Sequence, residues 1–210
     1  SIRENPRNPE ALNHLATALQ GLGKYDDAVL ALESAISLEP NFTEAWCNLG
    51  DARDSLGDLI GAIDAYQKSI NIAPESATPY VNVSNTYLKN KQYEEALSMV
   101  EHVLGIDPEL APAWLNKGNA LRGLKRPKEA IKAYSKALET DCNRSAIHCL
   151  IADCFHDLGC NLEALTHFEK AHRLDPKDVD PLIGIAFCQI RNRHLKVAES
   201  ALIDVLAMEP

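Results

Sequence analysis

A spacing of 34 residues constrains this chain more than any other feature. The stretch Ala45-Trp46-Cys47-Asn48-Leu49-Gly50-Asp51-Ala52, a break at Leu56-Gly57-Asp58, a resumption at Ala62-Ile63-Asp64-Ala65-Tyr66 and a close at Ile72-Ala73-Pro74 are rewritten along the whole sequence at that interval. Self-similarity of this kind marks stacked units that cannot bury their apolar faces singly. The units are expected at 9–42, 43–76, 77–110, 111–144, 145–178 and 179–210, without insertion or deletion, the last two residues short. Residues 1–8 align with the end of a unit, Ser1-Ile2-Arg3-Glu4-Asn5-Pro6 against Ser69-Ile70-Asn71-Ile72-Ala73-Pro74, and are expected to be the tail of a truncated preceding repeat.

Each unit reads as two helices of about 14 residues, about 21 Å long, joined by a short turn. Gly23, Gly57 and Gly159 mark that turn in the first, second and fifth units, where a left-handed residue can end a helix. Pro40, Pro74, Pro108, Pro176 and Pro210 close the second helices, since proline cannot continue the ladder. Cys142 stands at that point in the fourth unit and predicts a looser or longer helix end there. Pro79, Pro112 and Pro181 fall near helix starts, where a missing N–H costs little.

Packing explains which positions recur. The second helices place Ala28, Ala62, Ala96, Ala130, Ala164 and Ala198 at one point, and the first helices place Ala16, Gly50, Ser84, Gly118, Ala152 and Ala186 at another. Larger groups recur opposite them: Leu12, Trp46, Tyr80, Trp114, His148 and Leu182 on the first helices, Leu32, Tyr66, Val100, Tyr134, Phe168 and Leu202 on the second. Large against small at helical spacing predicts interdigitated helix pairs.

The net charge of −9 is uneven, because residues 1–105 hold 7 basic against 15 acidic groups and residues 106–210 hold 14 against 15. A chain without a basic stripe is not expected to bind nucleic acid. Six cysteines, mostly inside helical patterns, are too sparse for a disulfide scaffold and point to reduced thiols in a cytosol-like compartment. No run of 18 apolar residues argues for a membrane partner, and the N-terminus has no signal-peptide layout.

With Trp46, Leu49, Gly50, Ala62, Tyr66 and Pro74 at their offsets, the sequence resembles the tetratricopeptide repeat family over its whole length. Local departures are Arg53 and Gln189 in place of an aromatic or Leu, Lys117 at the position of Leu49, and His148 at the Trp position. The resemblance implies an all-α, right-handed superhelical solenoid of antiparallel helix pairs, with the first helices lining a concave groove. It further implies a protein or peptide partner in that groove, extended or helical.

If the first helices line a groove, the residues after the large aromatic face it: His14, Asn48, Asn82 and Asn116, then Leu150 and Gly184. One turn on come Thr17, Asp51, Asn85, Asn119 and Asp153, and beyond them Gln20, Asp54, Leu88, Arg122 and His156. Asn offers both donor and acceptor, so a ladder of Asn side chains can grip a peptide backbone whatever its side chains. In this Asn48, Asn82 and Asn116 are similar to the asparagine ladder of O-linked N-acetylglucosamine transferases; a neutral polar residue also simply suits a solvated face. The candidate peptide-binding set is therefore His14, Asn48, Asn82, Asn85, Asn116, Asn119 and Arg122.

Sharper chemistries find less support. A clamp for the C-terminal carboxylate of a chaperone needs cations, and Asn13, Cys47, Val81 and Leu115 stand at its lysine position, with Thr78 and Asn82, or Pro112 and Asn116, at the later ones. Cys142, Cys149, Cys154 and Cys160 cluster with His148, His156 and His167, but the group spreads around two helices and a turn, so no metal or cofactor is expected. Cys154 and Cys188 read instead as small buried residues. His14, His102, His172 and His194 are scattered singly, and no nucleophile and base pair appears, so the chain is expected not to be an enzyme. Two alternatives stay open: a substrate-recognition arm of a larger enzyme such as a glycosyltransferase, and a self-assembly module joined through uncapped ends.

Overall fold

The computed structural model describes residues 8–139 and 144–208, and among these the chain is helix and turn with no strand. Two compact units are present, 1–108 and 109–210. The first holds α1 (Pro9–Gly21), α2 (Tyr25–Leu38), α3 (Thr43–Ser55), α4 (Leu59–Ile72), α5 (Ala77–Lys89) and α6 (Tyr93–Ile106). The second holds α7 (Ala111–Gly123), α8 (Pro127–Glu139), α9 (Arg144–Asp157), α10 (Asn161–Leu174), α11 (Asp180–Arg191) and α12 (Leu195–Met208). Residues 1–7 of the expected tail over 1–8, the Cys142 junction and Pro210 lie outside the described residues.

Each odd helix packs on the even helix after it, and each pair packs on the next within its unit: α2 on α3 and α4 on α5, then α8 on α9 and α10 on α11. The first unit also brings α1 against α3 and α3 against α5. Short turns force the antiparallel pairing. Among the described residues no helix is long and apolar enough to cross a membrane.

The expected large-against-small packing is present. Ala28, Ala62, Ala96, Ala130 and Ala164 are fully buried, as are Leu32, Val100 and Tyr134. A methyl group added to Gly50 would overlap the Tyr66 ring, and one added to Gly118 would overlap Tyr134. Burying one such Leu or Tyr contributes about 2 kcal/mol. Leu202 on α12 departs from the pattern at 39% exposure.

The turn is more uniform than glycine alone suggested. Gly23, Gly57 and Gly159 have positive φ, and so do Lys91, Lys125 and Arg193 at the equivalent places, with φ of 59°, 60° and 61°. In all six turns the next residue's N–H reaches back to the same helix carbonyl, as in Gln92 N to Tyr87 O at 2.9 Å and Asp58 N to Arg53 O at 3.0 Å. Two such bonds capture the orphan carbonyls of the helix end and hold the left-handed residue in place, glycine or not.

The positions where the sequence departs from the repeat have found local solutions. Arg53 donates to Gly61 O at 3.2 Å and pairs with Glu33 at 3.0 Å. Lys117 lies over the Trp114 ring, and Gln189 Oε1 meets His194 Nδ1 at 2.9 Å. His148 on α9 faces His167 on α10 with their Nδ1 atoms 3.0 Å apart, at positions that hold Trp46 and Ala65 in the second repeat and Trp114 and Ala133 in the fourth. Of the scattered histidines, His14, His102 and His194 are exposed, His102 stacking on Tyr80, while His172 is half-buried.

Candidate functional site

The odd helices carry the polar residues that tie one helix pair to the next. On α1, Asn13 is 1% exposed and donates to Glu44 Oε1 of α3 at 3.0 Å. Asn48 on α3 donates back to Asn13 Oδ1 at 2.8 Å, and Gln20 of α1 donates to the Asn48 backbone carbonyl at 2.8 Å. The next step repeats the scheme: Asn82 on α5 donates to Asp51 Oδ1 at 2.9 Å and lies 3.8 Å from Cys47 Sγ. Thr86 donates to Asp54 at 3.1 Å, and Lys89 forms an ion pair with the same carboxylate.

The second unit uses the same positions with other chemistry. Arg122 on α7 pairs with Asp153 at 3.1 Å and Asp157 at 3.6 Å on α9. Arg122 and Asp157 stand where Asp54 and Lys89 stand in the first unit, so the ion pair recurs with its charges exchanged. Asn119 Oδ1 accepts from Tyr134 OH at 2.8 Å, the counterpart of Asp51 Oδ1 accepting from Tyr66 OH at 2.6 Å.

The candidate residues thus divide. Asn48 and Asn82 are half-buried and contribute an amide N–H to the seam between helices, while their Oδ1 atoms have no partner among the described residues. His14 and Asn85 are exposed on α1 and α5. Asn116 is only 7% exposed, and Asn119 and Arg122 on the same helix are half-buried and engaged in the contacts above. At the equivalent position in the last pair an added methyl on Gly184 would overlap Phe168 of α10, so this row also faces the preceding even helix.

A cavity of about 300 Å³ opens in the first unit where α3 meets the start of α5, with Thr43, Glu44, Cys47, Asn48 and Asp51 on one wall and Ser76, Thr78 and Pro79 on another. Burial pushes the Asp51 carboxyl above the ordinary carboxylate range, against the lowering effect of the Tyr66 and Asn82 hydrogen bonds. Burial likewise pushes the Cys47 thiol up to about 12, which makes it a poor nucleophile. Cys154 and Cys188 are fully buried.

Asn13 and Glu44 carry part of this site and escaped the reading of the sequence. The signal was present for Asn13: a polar residue stands where the other repeats have Cys47, Val81, Leu115, Cys149 and Ile183. A buried amide at an otherwise apolar position demands a partner, and Asn48 supplies it.

Models of the tetratricopeptide repeat match residues 13–77, 77–110 and 111–141, together more than half the chain. No curated protein matches the sequence. Among solved structures, a thermophilic tetratricopeptide repeat protein of Thermus thermophilus is 24% identical with a TM-score of 0.67, over 87% of this chain and 99% of that one. PilF of Pseudomonas aeruginosa is 18% identical with a TM-score of 0.81, over 96% and 92%. YrrB, described as a tetratricopeptide repeat protein with an unusual peptide-binding site, is 23% identical with a TM-score of 0.68, over 86% and 93%. At these identities the likeness is one of fold.

Proposed function

Because the chain belongs to the tetratricopeptide repeat family, whose members mediate protein–protein interactions, we propose that it is a non-catalytic docking module. It holds an extended or helical segment of a partner protein along its odd helices, with 9–42, 43–76, 77–110, 111–144, 145–178 and 179–210 as its repeats. The observation that carries this reading is the seam of α1, α3 and α5. There Asn48 and Asn82 are fixed by one amide hydrogen bond each, their acceptor oxygens are left over, and Asn48 lies in the wall of a cavity. A side chain immobilised by its neighbours loses little entropy when it meets a ligand. The likeness to YrrB, a peptide-binding protein of the same fold, supports the reading. The acid excess favours a protein over nucleic acid as partner.

Panning a random peptide library against the chain, then measuring affinity for the Asn48→Ala, Asn82→Ala double variant, tests the proposal. Selected peptides should lose about tenfold in affinity, as for one or two lost hydrogen bonds. Unchanged affinity at a temperature where both proteins are folded would remove these residues from the site.

A further inference from the structure

The cavity beside α3 holds two carboxylates that no lysine or arginine among the described residues neutralises. Asp51 Oδ1 is committed to Tyr66 OH and Asn82, and Glu44 Oε1 to the buried Asn13. The second oxygen of each has no partner among the described residues, and neither carboxylate meets a lysine or arginine there. Among the described residues Arg53 is engaged by Glu33 and Lys89 by Asp54.

At the same repeat position in the second unit, Asn119 carries no charge and the charge of Asp153 is met by Arg122 at 3.1 Å. Asn119, the counterpart of Asp51, receives the tyrosine hydroxyl at 2.8 Å with a neutral amide. Asp51 therefore keeps a carboxylate in a position where burial disfavours it and an amide would serve. An unneutralised, rigidly held charge in the wall of a cavity is a destabilising feature of the kind that binding sites retain.

We propose that this cavity is the anchor site for an arginine side chain of a basic partner peptide, its guanidinium lying between Asp51 Oδ2 and Glu44 Oε2 with Asn48 Oδ1 as a further acceptor. The proposal rests on the peptide-docking reading above and names the class of partner. A guanidinium matches the site because its five donors form a planar fork that serves several acceptors at once. Charge-assisted bonds to carboxylates held in place from behind are about twice as strong as neutral ones. The same partner is favoured at long range, since residues 1–105 carry 7 basic against 15 acidic groups.

The test uses a fluorescein-labelled peptide of alternating alanine and arginine, with counterparts in which lysine, glutamine or glutamate replaces arginine. Anisotropy titrations on the 210-residue chain should show the arginine peptide binding about tenfold more tightly than the glutamine one. Asp51→Asn and Glu44→Gln should each erase most of that preference. Both variants keep an acceptor for the existing hydrogen bonds, and the Asn119–Tyr134 pair shows that the amide is accommodated. Glu94→Gln, on the exposed start of α6, should leave the preference intact. No preference for arginine over glutamine, an equal or better lysine peptide, or an equal loss in Glu94→Gln would overturn the anchor. If the glutamine peptide then still binds and is weakened by Asn48→Ala, Asn82→Ala, the docking groove stands and the arginine anchor alone falls.

Discussion

Lys91, Lys125 and Arg193 adopt a left-handed backbone that costs an L-residue about 1 to 2 kcal/mol. Hydrogen bonds from two successive N–H groups to the helix end hold them there, so the turn geometry belongs to the motif more than to the residue. Replacing Lys91 by glycine should raise stability by about 0.5 to 1 kcal/mol, the relief of strain less the greater chain entropy of glycine. A urea denaturation midpoint that stays put or falls would show that the turn carries no such strain. Asn13 and Asn48 make the opposite case, since each is positioned by the other across two helices. Periodicity identified Asn48 and Asn82 as candidates because they recur. It passed over Asn13 and Glu44 because partners 35 and 31 residues apart become neighbours only when helix pairs stack.

At the scale of the helix, close approach within each pair is set by one small residue against one ring. Gly50 lies under Tyr66 and Gly118 under Tyr134, while Ala62 and Ala130 are fully buried on the facing helices. Gly118→Ala should cost about 1 to 3 kcal/mol, because a methyl there must displace a ring with no room to move. A thermal melt that shows no loss would mean that α7 and α8 can separate without penalty. The polar seam of the odd helices is a second, independent element of design. Its i to i+35 ion pair runs from Asp54 to Lys89 in the first unit and from Arg122 to Asp157 in the second, so the register is kept while the sign is reversed. A pattern search for one charge type would miss that equivalence.

On the scale of the whole chain, stability in a stacked protein is close to a sum over pairs and their interfaces, so one weak junction limits its unit. The α9–α10 pair is such a junction at low pH. Burial, with the charges of His148 and Lys170, lowers His167 to about 4, and burial lowers His148 as well. Histidines whose folded pKa lies below the ordinary value of about 6.5 take up protons first in the unfolded chain. Their contribution to stability is therefore complete above that value and is lost as pH falls towards 4. Hydrogen exchange should show α9 and α10 losing protection over that window, and His167→Ala, which restores the residue type of Ala65 and Ala133, should flatten the dependence. An equally steep loss in that variant would place the acid sensitivity elsewhere. By itself, the sequence determined the all-helical class, the two-helix unit, the proline helix ends and the small residues at close contacts, because each follows from local propensity or from a spacing that one helix can express. The tertiary structure alone decided that Asn48 and Asn82 are tied into the seam, that His148 meets His167, and that Asp51 and Glu44 share a cavity with no lysine or arginine among the described residues on them. Those facts depend on which faces stacking brings together, and on the cost of burying a charge there, and neither is written at any single position.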